Sequence, residues 1–524
     1  MFKLRDADPP VKPPSARWRA ALASGLMLAA LAIATGPVAP AAAQALQQSK
    51  VSLDARAESK PFPHFWETTF GSGRAILSLR QSYRDDMNTV KNVTSMAYVR
   101  PHAIFHDEIG LYDEDAQGQP VYNFSYVDQI YDGLLANGVR PFVELSFMPR
   151  KLALRPTEHA FWYKQITAPP KDWDKWEALI EAFGRHLVAR YGEAEVAQWY
   201  FEVWNEPNID FWSGEPKQAT YYELYGRAAK ALRRASPMLR VGGPATAQAA
   251  WVDSFIQYCV EHKLPVDFVS THVYANDSAQ DVFGTQEVIP RKTMVARSVQ
   301  KVYDQVKRSP RPDLPIIWSE YNASYKNEVE VTDSPFMGPW LANNISLCDG
   351  KADIMSYWTF SDVFEEFGVV KKPFYGGFGL IAAGNIPKAS FNAFSLLHKL
   401  GTRRIPVNAD NLLVTRRDDG ALVIAAWNYA EPEAAGTPMH LRLQLSGLKG
   451  LHKVLIHQLD KDHGSALSTW EKLGRPDFPS REQQAQLRAA ASLPPPRLLA
   501  LKGESDTLDL ELPPHSLMLL EVLP

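Results

Sequence analysis

The sequence predicts an α/β fold, a (β/α)8 barrel followed by a β-sandwich, and three observations carry that expectation. Strand-like and helix-like segments alternate over residues 46–400, which implies parallel strands joined by crossover helices. Eight strand signals fall in that span, and eight such units close into a barrel more naturally than they lie in an open sheet. Past about Leu400 the texture changes to short strands between polar turns, as in a sandwich, so residues 401–524 form a second unit. The rival for the first unit is a doubly wound sheet, but no glycine-rich phosphate turn follows its first strand.

The elements can be justified in order. Residues 51–65 are strand-like, and Trp66 to Arg74 contains Gly71 and Gly73, which suggest a tight loop. Residues 83–93 read as a helix and 96–105 as a strand containing Arg100-Pro101-His102. Val127, Ile130, Leu134 and Leu135 share one face of a helix that Asn137-Gly138 ends. Residues 140–147 are a strand stopped by Pro149, and 173–191 a long helix closed by Gly192. Trp199 to Val203 is aromatic and β-branched, hence a buried strand, and Pro207 cannot continue a ladder because it lacks an N–H. Helix and strand signals then alternate through 221–235, 239–241, 252–262, 267–274, 293–307, 315–321, 337–347 and 353–360. In the second unit 412–415, 422–427, 439–445, 453–459 and 516–522 read as strands. Residues 462–496 are rich in Pro, Ser and Gln and read as a long surface loop.

A chain of 524 residues is too long for one ordinary core, and 45% hydrophobic with 22% charged residues is the balance of a globular protein. No basic tract points to nucleic acid. Residues 1–45 place Lys3, Arg5, Lys12, Arg17 and Arg19 before an apolar run and end in small-x-small sites at Ala41–Ala45. This is the layout of a secretory leader and implies a periplasmic or extracellular protein; the alternative is a retained membrane anchor. Once the leader is removed, no membrane association is expected. Cys259 and Cys348 lie in different helical segments and are expected to be free, buried thiols. No Cys/His cluster has zinc spacing and no calcium loop is present, so neither a metal nor a cofactor is expected.

In a parallel barrel, chemistry gathers at the C-terminal ends of the strands. The second strand brings Arg100 and His102 there, the fourth Asn205 and Glu206, the sixth His272 and Tyr274, and the seventh Glu320 and Asn322. Asp362, Glu365 and Glu366 follow the eighth. Glu206 and Glu320 end strands three places apart, nearly across the barrel mouth, and two facing carboxyls are what glycoside cleavage requires. Beside Glu206, Asn205 offers an amide for a sugar hydroxyl and Trp204 a flat apolar face. Glu202, two residues before Trp204, should point into the barrel beside Arg100, and Glu144 is also read as structural.

Trp204-Asn205-Glu206-Pro207-Asn208 together with Ser319-Glu320-Tyr321-Asn322 resembles clan A of the glycoside hydrolases. Gly71-Ser72-Gly73-Arg74, Pro141 to Leu145, Phe147-Met148-Pro149, Phe211-Trp212, Ser361 to Glu366 and Gly376 to Leu380 narrow the resemblance to family 39, the β-xylosidases and α-L-iduronidases. The resemblance implies a retaining hydrolase with Glu206 as acid/base and Glu320 as nucleophile. It further implies Asn205 on the sugar 2-hydroxyl, and His102, His272, Trp358 and one of Glu365 or Glu366 as sugar ligands, with Tyr274 near the nucleophile. Arg100-Pro101-His102-Ala103 departs from the family's usual Arg-aromatic-His-Gly string at this point. A uronate substrate would need cations, for which Lys371 and Lys372 are candidates, but Glu365 and Glu366 would repel it. A neutral sugar, xylose first, in an oligosaccharide or polysaccharide is therefore expected. Other sugars, an enzyme of polysaccharide export and a non-catalytic sugar-binding protein are the alternatives; the last should lack one of the two carboxylates.

Overall fold

The computed structural model describes residues 47–448, 450–503 and 505–524; the leader expected over residues 1–45 lies outside them. Eight parallel strands close a barrel in sequence order. They are β1 (Thr69–Arg74), β2 (Tyr98–His102), β3 (Arg140–Glu144), β4 (Tyr200–Glu202), β5 (Arg240–Thr246), β6 (Phe268–Tyr274), β7 (Ile316–Asn322) and β8 (Ile354–Tyr357). A helix follows each: Gln81–Lys91, Ser125–Ala136, Trp173–Tyr191, Lys217–Ala235, Val252–Glu261, Arg291–Arg308, Met337–Cys348 and Ala389–Leu397. β6, β7 and β8 are covered on both faces and buried at every position.

Gly71 and Gly73, expected to close a loop, instead lie inside β1. The reason is a close approach: a Cβ on Gly71 would stand 2.1 Å from the Trp358 ring. Only glycine lets β1 pass that indole.

The second unit is two facing antiparallel-rich sheets. The larger has seven strands, Lys60–Pro61, Arg403–Ile405, Leu412–Arg416, Leu422–Asn428, Ser516–Leu523, Leu451–Leu459 and Arg497–Lys502 in spatial order. The smaller holds Gln47–Asp54, Met439–Ser446 and Ser505–Leu512. Met439–Ser446 alternates buried and outward residues along its length, and Ile424, Leu441, Leu443, Leu510 and Leu520 meet in one core between the sheets. Residues 47–61 thus join the sandwich and not the start of the barrel, where the sequence boundary at 46 had placed them. Gln47–Asp54 pairs in parallel with Met439–Ser446 through all eight residues, sending Val51 and Leu53 into the core.

Residues 462–496 are not a plain loop. They carry the helices Leu467–Lys472 and Arg481–Ala491, the second opened by a capping box between Ser480 and Gln483. Trp470, Leu487 and Ala491 bury themselves against Phe374 and Ile386. Cys259 and Cys348 are both free and buried, with burial pushing both thiols up. Among the described residues, no helix is long and apolar enough to cross a membrane.

Candidate active site

The site begins where β4 stops. Its ladder ends at Glu202, and Trp204 and Glu206 take left-handed backbone at φ 73 and φ 44, positions that cost a non-glycine residue about 1–2 kcal/mol each. Surrounding groups hold this irregular turn. Tyr221 Oη donates to the Val203 carbonyl at 3.0 Å, Trp204 Nε1 to the Phe211 carbonyl at 2.9 Å, and Glu206 N to the Ala245 carbonyl at 2.8 Å. The turn presents Asn205 and Glu206 to a cavity of 440 Å³ at the C-terminal ends of the strands. Trp204 is consumed in building it: fully buried, it stands edge-on to Trp212 and Phe147 and does not face the cavity. The flat aromatic wall is Trp358 instead.

His102, Asn205, Glu206, Tyr274, Glu320, Trp358 and Glu366 all line the cavity. One oxygen of Glu206, one oxygen of Glu320 and a ring nitrogen of His272 lie within 4.8 Å of one another. Tyr274 Oη donates to Glu320 Oε2 at 2.8 Å and Arg100 Nη1 to Glu320 Oε1 at 2.7 Å. Arg100, fully buried, also bonds Glu202 Oε2 at 2.5 Å, Glu144 Oε2 at 2.8 Å and Asn205 Oδ1 at 2.9 Å. The pairing of Glu202 with Arg100 expected from strand periodicity is present, and Glu144 shares the same cation.

These contacts separate the two carboxyls. Burial pushes Glu206 far above the usual carboxylate range, and the charges of Glu320 and Asp277 push it further. Burial also raises Glu320, but Arg100, His102 and the Tyr274 hydroxyl oppose that rise. Glu320 is therefore the first of the pair to ionise, and its charge helps keep the proton on Glu206.

Two of the residues expected to touch a sugar lie elsewhere. His272 is fully buried in the barrel interior, its Nδ1 3.0 Å from Glu206 Oε1 and its Nε2 3.1 Å from Ser319 Oγ, so it contacts the carboxyl and not the cavity. Glu365, at φ 64, is turned away and clamped by Arg74 and Arg80. Its neighbour Glu366 is the one that reaches the cavity, with burial and then Glu320 raising its carboxyl. Despite the altered string around it, His102 stays in place. Its Nδ1 lies 2.7 Å from Glu144 Oε2 and its ring packs 4.6 Å from Trp358.

Sequence reasoning missed other parts. Asp277 lines the cavity, accepts from Tyr274 N at 2.8 Å, and is pushed up to about 7 by burial. Phe378 lines it too, and the glycines around Phe378 were the available signal. A Cβ on Gly377 would stand 2.5 Å from the Asp362 carboxylate and one on Gly379 2.4 Å from Asp362 N, so this strand of chain wraps tightly round Asp362. Lys388 Nζ closes the wrap at 2.6 Å from both Asp362 and Asp333 and 2.9 Å from the Gly377 carbonyl. His159, Phe161, Phe211 and Phe367 form an aromatic mouth; they come from long loops whose meeting no local pattern announces. Lys371 and Lys372, the candidate carboxylate binders, line a separate surface cavity with Asp477 and Phe478.

Known proteins are similar to this chain in sequence and fold. The family model Glycosyl hydrolases family 39 matches residues 49–498. A beta-xylosidase of Geobacillus stearothermophilus is 36% identical over 440 residues, covering 82% of this chain and 86% of its own length. One from Caldicellulosiruptor saccharolyticus is 32% identical over 464 residues, 87% of this chain and 94% of its own. The crystal structure of a monomeric beta-xylosidase from Caulobacter crescentus CB15 superposes with a TM-score of 0.82 at 33% identity, covering 91% of this chain and 99% of that one. With the barrel, the strand-end carboxyls and these relatives in agreement, the chain is a glycoside hydrolase and belongs to family 39.

Proposed function

We propose that this hydrolase is a retaining β-xylosidase that removes terminal xylose from xylo-oligosaccharides by double displacement. The observation that carries the mechanism is the spacing of Glu206 and Glu320, whose facing oxygens lie within 4.8 Å. Retaining pairs stand about 5–5.5 Å apart, whereas an inverting pair needs roughly 6.5–9.5 Å to admit water. Glu320, held by Arg100 and Tyr274, attacks the anomeric carbon. Glu206 keeps its proton for the departing oxygen and then takes one from the water that releases the sugar. Asn205 and Glu366 bond ring hydroxyls, and Trp358 supplies the apolar wall.

The choice of a neutral sugar rests on charge. The cavity presents Glu206, Asp277, Glu320 and Glu366, and among the described residues no lysine or arginine lines it. A uronate carboxylate would meet the Glu320 charge without a cation to hold it. The aromatic mouth suits a second sugar ring as leaving group, because Phe161 and Phe211 belong to the loops after β3 and β4, on the side of the acid. The relatives' names supply xylose as the sugar.

A 2-fluoro xyloside with a good leaving group tests this reading. It should label Glu320, as read by peptide mass mapping, because the electron-poor sugar slows release more than attack. Labelling of Glu366, or a first product with inverted configuration in a proton-NMR time course, would defeat the assignment. Export is part of the same proposal and rests on the leader over residues 1–45. Protein from the native host should begin between Gln44 and Gln48 on N-terminal sequencing; an intact Met1 on a cytosolic protein would exclude it.

A further inference from the structure

A buried hydrogen-bond chain runs behind the acid, built from residues no sugar can touch. Arg100 Nε–H donates to Glu202 Oε2 at 2.5 Å, and Ser319 Oγ–H donates to Glu202 Oε1 at 2.6 Å. Glu202 and Ser319 are both fully buried. A serine hydroxyl has one proton. Ser319 spends it on Glu202, so towards His272 Nε2, 3.1 Å away, its oxygen can only accept. Nε2 must then carry the hydrogen. His272 is held neutral, because burial first and then Arg100 and His102 disfavour its cation. A neutral imidazole protonated on Nε2 has a bare Nδ1. That lone pair points at Glu206 Oε1, 3.0 Å away, with Glu320 Oε2 farther off at 3.7 Å.

We infer that Ser319 and Glu202 are positioning residues that lock His272 in the Nε2–H tautomer, so that its bare Nδ1 holds the acid proton on Glu206. The inference rests on the acid/base role proposed for Glu206 and explains how that role is sustained. A lone pair beside a carboxyl oxygen is attractive when the carboxyl is protonated and repulsive when it is ionised. The lock therefore favours protonated Glu206 in the free enzyme. It also makes the carboxylate left after the first step a stronger base toward the attacking water. The protons of the lock stay where they are; only the Glu206 proton leaves, and one from water replaces it. The other charges facing Glu206 are Glu320 on β7, Asp277 after β6, Glu366 after β8 and Arg100 on β2, and none of them depends on the tautomer.

Ser319→Ala tests the lock. Without the hydroxyl, His272 is free to move its hydrogen to Nδ1 and donate to ionised Glu206. The alkaline limb of kcat/KM on xylobiose should then shift to lower pH by about one unit, a tenfold change in the proton equilibrium. KM should stay nearly constant. The kcat/KM of β-xylosyl fluoride, which reports only the first step with a leaving group that needs little protonation, should be unchanged. An alkaline limb that does not move, or equal losses on both substrates, would overturn the proposal. Nitrogen-15 NMR of histidine-labelled full-length protein, with His272→Asn to assign the signal, reads the tautomer without substrate. An Nδ1–H signal for His272 would overturn the lock even if Ser319→Ala fails to fold. A chain that hydrolyses neither xyloside would defeat the functional reading, while the NMR result would still decide the tautomer.

Discussion

Glu206→Ala should lose about 100- to 10,000-fold in kcat on xylobiose, the usual worth of a positioned general acid, yet still form the glycosyl-enzyme from xylosides with activated aryl leaving groups. The deep burial of Glu206 and the adjacent charge of Glu320 keep it protonated well above the ordinary glutamate range. Wild-type activity therefore falls as pH rises through that raised value, and the variant's glycosylation of activated substrates should show no such alkaline limb. Added azide should restore full turnover in Glu206→Ala and give a β-glycosyl azide, because the anion replaces water without needing a base. Glu320→Ala should be about 10,000-fold or more slower on every xyloside, and azide should return the α-anomer. Chromatography of the azide products decides between them: a β-azide from Glu320→Ala would exchange the two roles.

Arg100→Met should be the most damaging substitution behind the site. The guanidinium is fully buried and satisfies Glu144, Glu202 and Glu320 at once. Removing one partner of a buried ion pair leaves charge without compensation and costs about 3–5 kcal/mol, readable as a lower urea midpoint at unchanged m-value. The sign of its pH dependence follows from the carboxyls left behind. Arg100 opposes the rise that burial imposes on Glu320 and helps hold Glu144 low, so without it burial lifts both carboxyls further, and such a group is least costly when protonated. The deficit should be full at neutral pH and shrink as pH falls toward 4.5. Hydrolysis should fail along with stability, since Glu320 loses the donor that holds its charge. A variant of wild-type stability across that range would show that Arg100 is not the electrostatic keystone drawn here.

Much of the barrel was legible because its signal is local. Apolar strands stopped by Pro149 or Pro207, and helices with one apolar face, announce themselves over a few residues. Glu206 and Glu320 were legible because each follows such a strand. What escaped depended on contacts distant in sequence. That Glu366 rather than Glu365 faces the cavity is settled by Arg74 and Arg80, some 285 positions away. Trp204 looked like a sugar platform and is a packing residue, because the chain leaves β4 with left-handed backbone that no two-residue alternation foresees. His272 and Ser319 point inward from adjacent strands, and only the barrel's closure shows that they meet. The helix Arg481–Ala491 was readable after all, from Ser480 and Gln483, a capping box inside a stretch whose proline content suggested a loop.

The strand Gln47–Asp54 changes how the chain must assemble. Its partner Met439–Ser446 lies beyond the whole barrel, with Ser52 bonding Gln444 across 392 positions. Topologically the barrel is an insertion, the crossover linking the first two sandwich strands, Gln47–Asp54 and Lys60–Pro61, to the others. During synthesis Gln47–Asp54 emerges before the barrel and pairs only after it, when Met439–Ser446 and its other neighbour Ser505–Leu512 have been made. Closing so long a loop is entropically slow, so sandwich completion should be the late step of folding, with Val51 and Leu53 exposed until then. A gene fragment beginning at the barrel's own first strand would encode every cavity-lining residue, yet leave the Met439–Ser446 edge unpaired and open to pairing between chains.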